Sequence, residues 1–123
     1  MVVLLSGLGD YQLPAAHESE VMNMKLLTKE LLQKLPPLYA TENEQDPMVW
    51  AKFFFPDWSW TWYAIEFDGK DTFFGFVDGD FPELGYFSLS ELVSNRGTLG
   101  LSIERDRSFA PCRLAVLRAR LGR

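Results

Sequence analysis

Residues 49–80 read VWAKFFFPDWSWTWYAIEFDGKDTFFGFVDGD, and this stretch decides the fold. Three runs rich in β-branched and aromatic residues, 49–55, 60–67 and 72–77, are separated by Pro56-Asp57 and by Asp68-Gly69, both turn formers. Strands joined by such short connections pair antiparallel, because a parallel crossover takes a dozen or more residues. Past Asp78-Gly79-Asp80, residues 84–87 read as a short fourth strand.

Working outward, residues 25–35 set Leu27, Leu31, Leu32 and Leu35 at helical spacing, with Thr28 as a fitting N-cap and Pro36-Pro37 as the stop. Residues 41–47 are polar and acidic and read as a loop. Ser88-Leu89-Ser90-Glu91 is a capping box that opens a short helix through Val93. Residues 95–100 read as a loop and 101–104 as a strand. Pro111 suits the first position of a last helix, with Leu114, Leu117 and Leu121 on one side. The expected class is α+β: an antiparallel meander of about four strands with flanking N-terminal, short middle and C-terminal helices.

A length of 123 residues fits one domain. Residues 24–123 are expected to form it, and residues 1–23 to be a leader outside its core. That leader holds Asp10, Glu18, Glu20 and the sole histidine, His17, and no Lys or Arg. Its apolar Val2-Val3-Leu4-Leu5 lacks a basic start and is cut short by Gly7, Gly9 and Asp10, unlike a secretory signal. An ordered terminal strand from Val2 to Leu5 is the alternative. No apolar run approaches the ~20 residues of a membrane helix. The single cysteine, Cys112, rules out an internal disulfide framework and fits a reducing compartment. It reads as a small buried apolar residue.

Fifteen of the 18 aromatic residues fall between Trp50 and Phe87. Strand alternation puts Trp60, Trp62, Ala64 and Glu66 on one face of their run and Thr61, Tyr63, Ile65 and Phe67 on the other. On 49–55 it groups Val49, Ala51, Phe53 and Phe55 against Trp50, Lys52 and Phe54. Neither run has a polar side. Either helices cover both faces of the sheet, or an aromatic face stays partly open as a binding surface.

Formal charge is -5, so the whole molecule is not a generic polyanion binder. From Pro37 to Glu91, 11 acidic residues face only Lys52 and Lys70, a sum of -9. Stacking of single-stranded bases pairs aromatics with a positive groove, which this centre lacks. Arg113, Arg118, Arg120 and Arg123 form the plausible phosphate-facing patch, or else a solvated basic helix end.

With His17 outside the core, Ser-His-Asp and Cys-His nucleophile systems have no base there. Cys112 alone cannot build a zinc site, and no glycine-rich nucleotide loop is present, so no metal or cofactor is expected. Carboxylates remain. Asp57 followed by Glu66 and Asp68 resembles a metal-nuclease pattern, but the lysine is missing and Lys70 is out of step; Asp68-Gly69 is equally a turn. Glu66 could pair with Glu83 or Glu104 as acid and base. Glu104-Arg105-Asp106-Arg107 either presents an arginine fork to an anion or pairs within itself. Lys52, set among aromatics, calls for a carboxylate partner, with Glu66 the first candidate.

The segments MKLLTKELLQKLPPLYATE, KFFFPD, WTWYAIEFDG, FFGFV, PELGYFSLSEL and GLSIERDRSF, spanning about Met24 to Pro111, resemble a family of short uncharacterised bacterial proteins, a domain of unknown function common on plasmids and other mobile elements. The resemblance implies a bacterial, cytoplasmic setting and no known activity. The leader has no counterpart in it, which points to Met24 as the natural start. Gly75 and Gly85 match, and are expected to permit close backbone approach or special angles.

The leading functional reading is a non-enzymatic module that binds a protein partner through the aromatic, acidic surface. Its contact residues are Lys52, Trp58, Trp60, Trp62, Glu83, Tyr86 and Asp106. A variant of this reading is an acidic decoy that mimics nucleic acid. The alternatives are a carboxylate-dependent hydrolase using Glu66 and Glu104 with Arg105, and a nucleic-acid binder acting through the basic C-terminal helix.

Overall fold

Local capping starts the first helix: Thr28, in extended backbone, accepts a hydrogen bond from the Leu31 amide at 3.1 Å and opens α1, Lys29–Lys34. Leu31 is its buried residue, Leu27 and Leu35 are buried at its two ends, and Leu32 is exposed. This is a computed structural model, and it describes residues 25–123. The expectations for the leader and for His17 lie outside the described residues.

Six further elements follow: β1 (Met48–Val49), β2 (Ala51–Phe54), β3 (Thr61–Phe67), β4 (Thr72–Asp78), β5 (Pro82–Ser88) and α2 (Leu89–Ser94). Then come β6 (Glu104–Arg105), β7 (Cys112–Arg113) and α3 (Leu114–Leu121). The meander β2–β5 forms as expected. At its second turn the Asp68 carboxylate accepts the amides of Lys70, Asp71 and Thr72 at 2.8–3.0 Å. The Asp71 and Lys70 amides hold that carboxyl below its usual range. Ser88 caps α2 through the Glu91 amide at 3.1 Å, but the other half of the capping box is absent: Glu91 Oε2 is buried without a partner. Asp71 serves the helix start instead, accepting from Ser90 N at 2.8 Å and Ser90 Oγ at 3.1 Å.

Pairings between distant parts of the chain add a strand to the expected meander and shift two of the expected elements. The sheet has five strands, ordered β5-β4-β3-β2-β6, because the segment after α2 crosses to the open edge of β2. That strand covers Glu104–Arg105 and not 101–104, since the Leu101 amide is turned toward Asp57 Oδ2. Pro111 does not start the last helix. Cys112 and Arg113 first pair with Val49 and Met48, and α3 begins at Leu114. Its cap comes from far away in sequence: the Ala115 amide donates to Asp46 Oδ1 at 2.8 Å and the Leu114 amide to Pro47 O at 2.9 Å.

Helices cover both faces of the sheet. Under α1 and α2 lie Phe53, Phe55, Trp60, Trp62, Phe73 and Phe87. Under α3 lie Val49, Tyr63, Ile65 and Phe76, with Leu114 and Leu117 from the helix itself and Leu121 packed against them. Cys112 is half-buried beside this second cluster. Run 49–55 breaks at Trp50, so Val49 joins the face opposite Ala51 and Phe53. No helix among the described residues is long and apolar enough to cross a membrane.

The register of β3 against β4 slips between Ala64 and Glu66, a β-bulge. Ala64 pairs with Gly75 and Glu66 with Phe74, which leaves Ile65 as the extra residue. After the bulge the faces are exchanged: Phe67 joins Trp62 and Ala64, and Glu66 sits level with Phe74 on the α3 face. This corrects the simple alternation, which places Glu66 beside Trp62. Gly75 is required here, because a Cβ would run into the Tyr63 carbonyl. Gly85 carries no such constraint, since nothing lies within 4 Å of its Cβ position.

Gly75→Ala should therefore destabilise by about 3 kcal/mol or more, through overpacking against rigid backbone, while Gly85→Ala should be neutral or stabilise by a few tenths. Urea denaturation of the two variants checks the contrast. Burial pushes the Tyr63 phenol up to about 12, with Asp78 and Asp106 adding to the shift. The folded state then holds this proton more tightly than the unfolded chain. Stability linked to it is complete below pH 10 and is lost as pH rises from 10 toward 12. Tyr63→Phe should flatten that alkaline decline in a pH series of thermal midpoints.

Candidate functional site

The bulge sets Glu66, Phe74 and Tyr86 in one row across β3, β4 and β5. The segment after α1 folds over this row and is held at its start by Phe67 N donating to Pro36 O at 2.9 Å. Glu66 is 3% exposed. Its Oε1 accepts the Tyr39 amide at 2.8 Å, and its Oε2 accepts the Thr41 amide at 2.8 Å and also the Thr41 hydroxyl. Charge-assisted bonds of this kind compensate the desolvation of a buried carboxylate. They also hold Tyr39 in the left-handed region, at φ 71°, a conformation that costs a non-glycine residue of order 1 kcal/mol or more.

Held there, Tyr39 stands above the sheet with 62% of its surface exposed, and Tyr86 rises to meet it, 50% exposed. Phe74 supports Tyr86, with ring centroids 5.3 Å apart. Between the loop and the strands lies a groove of about 380 Å³, with Phe74, Leu84 and Leu114 in its lining and Glu42 and Glu44 adding negative charge. The Tyr86 phenol is raised above its ordinary range, by desolvation first, then by the Tyr39 hydroxyl and the charges of Glu66 and Glu42. The groove is thus amphipathic: aromatic and aliphatic surface beside carboxylates.

The carboxylate pairings needed for hydrolysis do not form. Glu83 is level with Val77 and Trp62, three residues along β5 from Tyr86, the residue level with Glu66, and two strands across, or roughly 14 Å. Glu104 is level with Phe54 and Thr61, five residues away and two strands across, or roughly 19 Å. Both separations exceed the roughly 5–10 Å of acid–base pairs in glycosidases. Asp57 stands near the Thr61 end of β3, so it cannot share a metal with Glu66 or Asp68. Its Oδ2 accepts the Leu99 amide at 2.7 Å and staples the 97–101 loop, where a Cβ on Gly97 would strike its side chain. Among the described residues no group of three or more His, Cys, Asp or Glu could hold a metal ion.

Lys52 does find a carboxylate, but it is Asp106, at 3.6 Å, and not Glu66. Lys52 is level with Tyr63, three residues short of Glu66, while β6 brings Asp106 N to within 2.9 Å of Lys52 O. Of the three tryptophans read as contacts, Trp62 and Trp60 are buried, because their face is the one covered by α1 and α2. Trp58 is partly exposed and stacks on Trp60 at 5.8 Å. Glu83 is exposed on β5. Arg105 donates from Nε to Lys25 O at 3.3 Å, at the far edge of the sheet. In the C-terminal region Arg118 lies over Phe76 and donates to Arg123 O, Arg123 pairs with Asp78 at 3.1 Å, and Arg113 reaches Asp46 O. Arg120 is exposed.

Of the residues singled out from the sequence, the groove therefore unites Glu66 and Tyr86. Tyr39, Thr41, Glu42, Glu44 and Leu84 escaped sequence reading. The one available signal was the acidic run after Pro36-Pro37, which gives a loop but no direction. Glu66→Ala should cost about 2–4 kcal/mol, because it leaves buried amides unpaired, and should expose the 37–46 loop to protease. Glu104→Ala, at an exposed site, should stay within about 0.5 kcal/mol. Urea denaturation and limited proteolysis measure both.

No curated protein and no solved structure matches the chain. A family model described as a protein of unknown function, DUF2958, matches residues 26–118, a span that holds the whole groove, and the chain belongs to that family.

Proposed function

We propose that the protein is a non-enzymatic interaction module, and that the Tyr39–Tyr86 groove is where it takes a protein partner. The observation that carries this reading is the state of Glu66. It is the one buried carboxylate in the groove, and its oxygens are engaged by two backbone amides and a hydroxyl. Its work is to shape the loop, not to move protons. What the groove offers a ligand is exposed phenol rings, Leu84 and the carboxylates of Glu42 and Glu44. That combination suits a protein segment bearing Lys or Arg among apolar side chains, since cations sit on aromatic faces and near carboxylates. Residues 24–123 act as the working unit in this reading. The setting is the cytoplasm of bacteria that carry plasmids or other mobile elements, as the resemblance implies.

Capture from bacterial lysate tests it, with wild type beside a Tyr39→Ala, Tyr86→Ala variant, with and without nuclease, at low and high salt. The wild type should retain a specific protein through nuclease and high salt, and the variant should retain it at least tenfold less. Equal capture by the two would overturn the reading. Capture of basic proteins that salt alone abolishes would favour the acidic decoy.

A further inference from the structure

We propose a second binding site, at the opposite edge of the sheet: the cleft between α1 and β6 binds single-stranded nucleic acid. Three adjoining depressions of about 260, 180 and 590 Å³ meet there, and Arg105 and Arg107 line all three. Strand alternation explains the arrangement. Arg105 pairs with Phe53 and shares its α1 side of the sheet, while Asp106 faces the other way and binds Lys52. Asp106 still lines the middle depression between the two arginines, with its carboxylate paired to Lys52.

Lys25, Lys29 and Lys34 add to the cleft from the α1 side. Ion pairs among the described residues join Lys52 to Asp106 and Arg123 to Asp78, and none involves these five cations. Against them stand three carboxylates: Asp106, paired with Lys52, and Glu30 and Glu104, which make no ion pair among the described residues. A local excess of positive charge has thus collected on a protein of net charge -5. Charges farther off than about 8–10 Å are largely screened at physiological salt, so the cleft acts by its own sign.

The cations are spread over the three depressions, with Lys25, Lys34 and Lys29 each in a different one, which suits several phosphates better than one compact anion. The middle depression is also lined by Trp50 and Phe109, both half-buried, with Phe109 packed on Tyr63 at a centroid distance of 5.9 Å. Cations that follow a backbone beside aromatic rings that stack bases are the two components of single-strand binding. An acidic peptide would use only the first, and a duplex would keep its bases away from the second.

The test is fluorescence anisotropy of a labelled oligothymidylate with the full-length protein, titrated across salt. Binding should appear at low salt, with log K falling against log salt at a slope of about -2 to -3.5, as three to five phosphate contacts require. Lys29→Ala with Arg107→Ala removes two exposed cations that make no ion pair among the described residues. It should weaken binding at least tenfold and flatten the slope by about 1.4, with the thermal midpoint unchanged. Arg113→Ala with Arg120→Ala removes the same charge from the C-terminal region and should leave binding unaltered. The proposal fails if no binding occurs at low salt, or if the Lys29, Arg107 variant binds as wild type does. It fails equally if the Arg113, Arg120 variant loses as much, if a duplex binds as well, or if a mononucleotide at equal concentration displaces the strand.

Discussion

One extra residue in β3 governs the α3 face of the molecule. Had the alternation continued through Ile65, Glu66 would point into the aromatic cluster under α1 and α2, where a carboxylate has no partner and burial is costly. The bulge moves it to the other face, level with Phe74 and Tyr86, under the chain that leaves α1. There it meets the amides of Tyr39 and Thr41. The bulge, the missing side chain at Gly75 and the left-handed backbone at Tyr39 belong to one arrangement, and the groove is its product.

The same sheet separates two chemistries. Its order ends in β5 on one side and β6 on the other. The aromatic, acidic groove spans β3 to β5, and the cationic cleft lies at β6. A mean charge describes neither. Between them the aromatic residues act as packing: Phe67, Phe73 and Phe87 stack at 4.4 and 5.0 Å, and Trp60 stacks over Gly79 and bonds Asp80 at 3.3 Å. The concentration of aromatics in the centre of the chain is chiefly a core that must be wide enough for helices to cover on both sides.

Features set by neighbours in sequence were legible. The cap at Thr28, the stop at Pro36-Pro37, the turn at Asp68 and the cap at Ser88 each depend on residues within a few positions. Features set by distant pairing were not. Cys112 and Arg113 become a strand only because Met48 and Val49 lie opposite them, and α3 takes its cap from Asp46. Lys52, set among aromatics, calls for a carboxylate, but its partner Asp106 arrives just after β6, a strand whose position no local pattern reveals. The candidate site was half legible for the same reason. Glu66 and Tyr86 stand out by type, whereas Tyr39 becomes significant only when a carboxylate 27 residues away fixes its backbone.

The central claim is that Glu66 holds the 37–46 loop through backbone amides. Amide hydrogen exchange at Tyr39 and Thr41 tests it most directly. In wild type both amides should be protected to the level of neighbouring β3 amides although they lie in a loop. In Glu66→Gln at least one should exchange tenfold faster or more, with Trp62 and Phe53 unchanged. Exchange of Tyr39 and Thr41 at open-loop rates in wild type, or identical protection in the variant, would contradict the account.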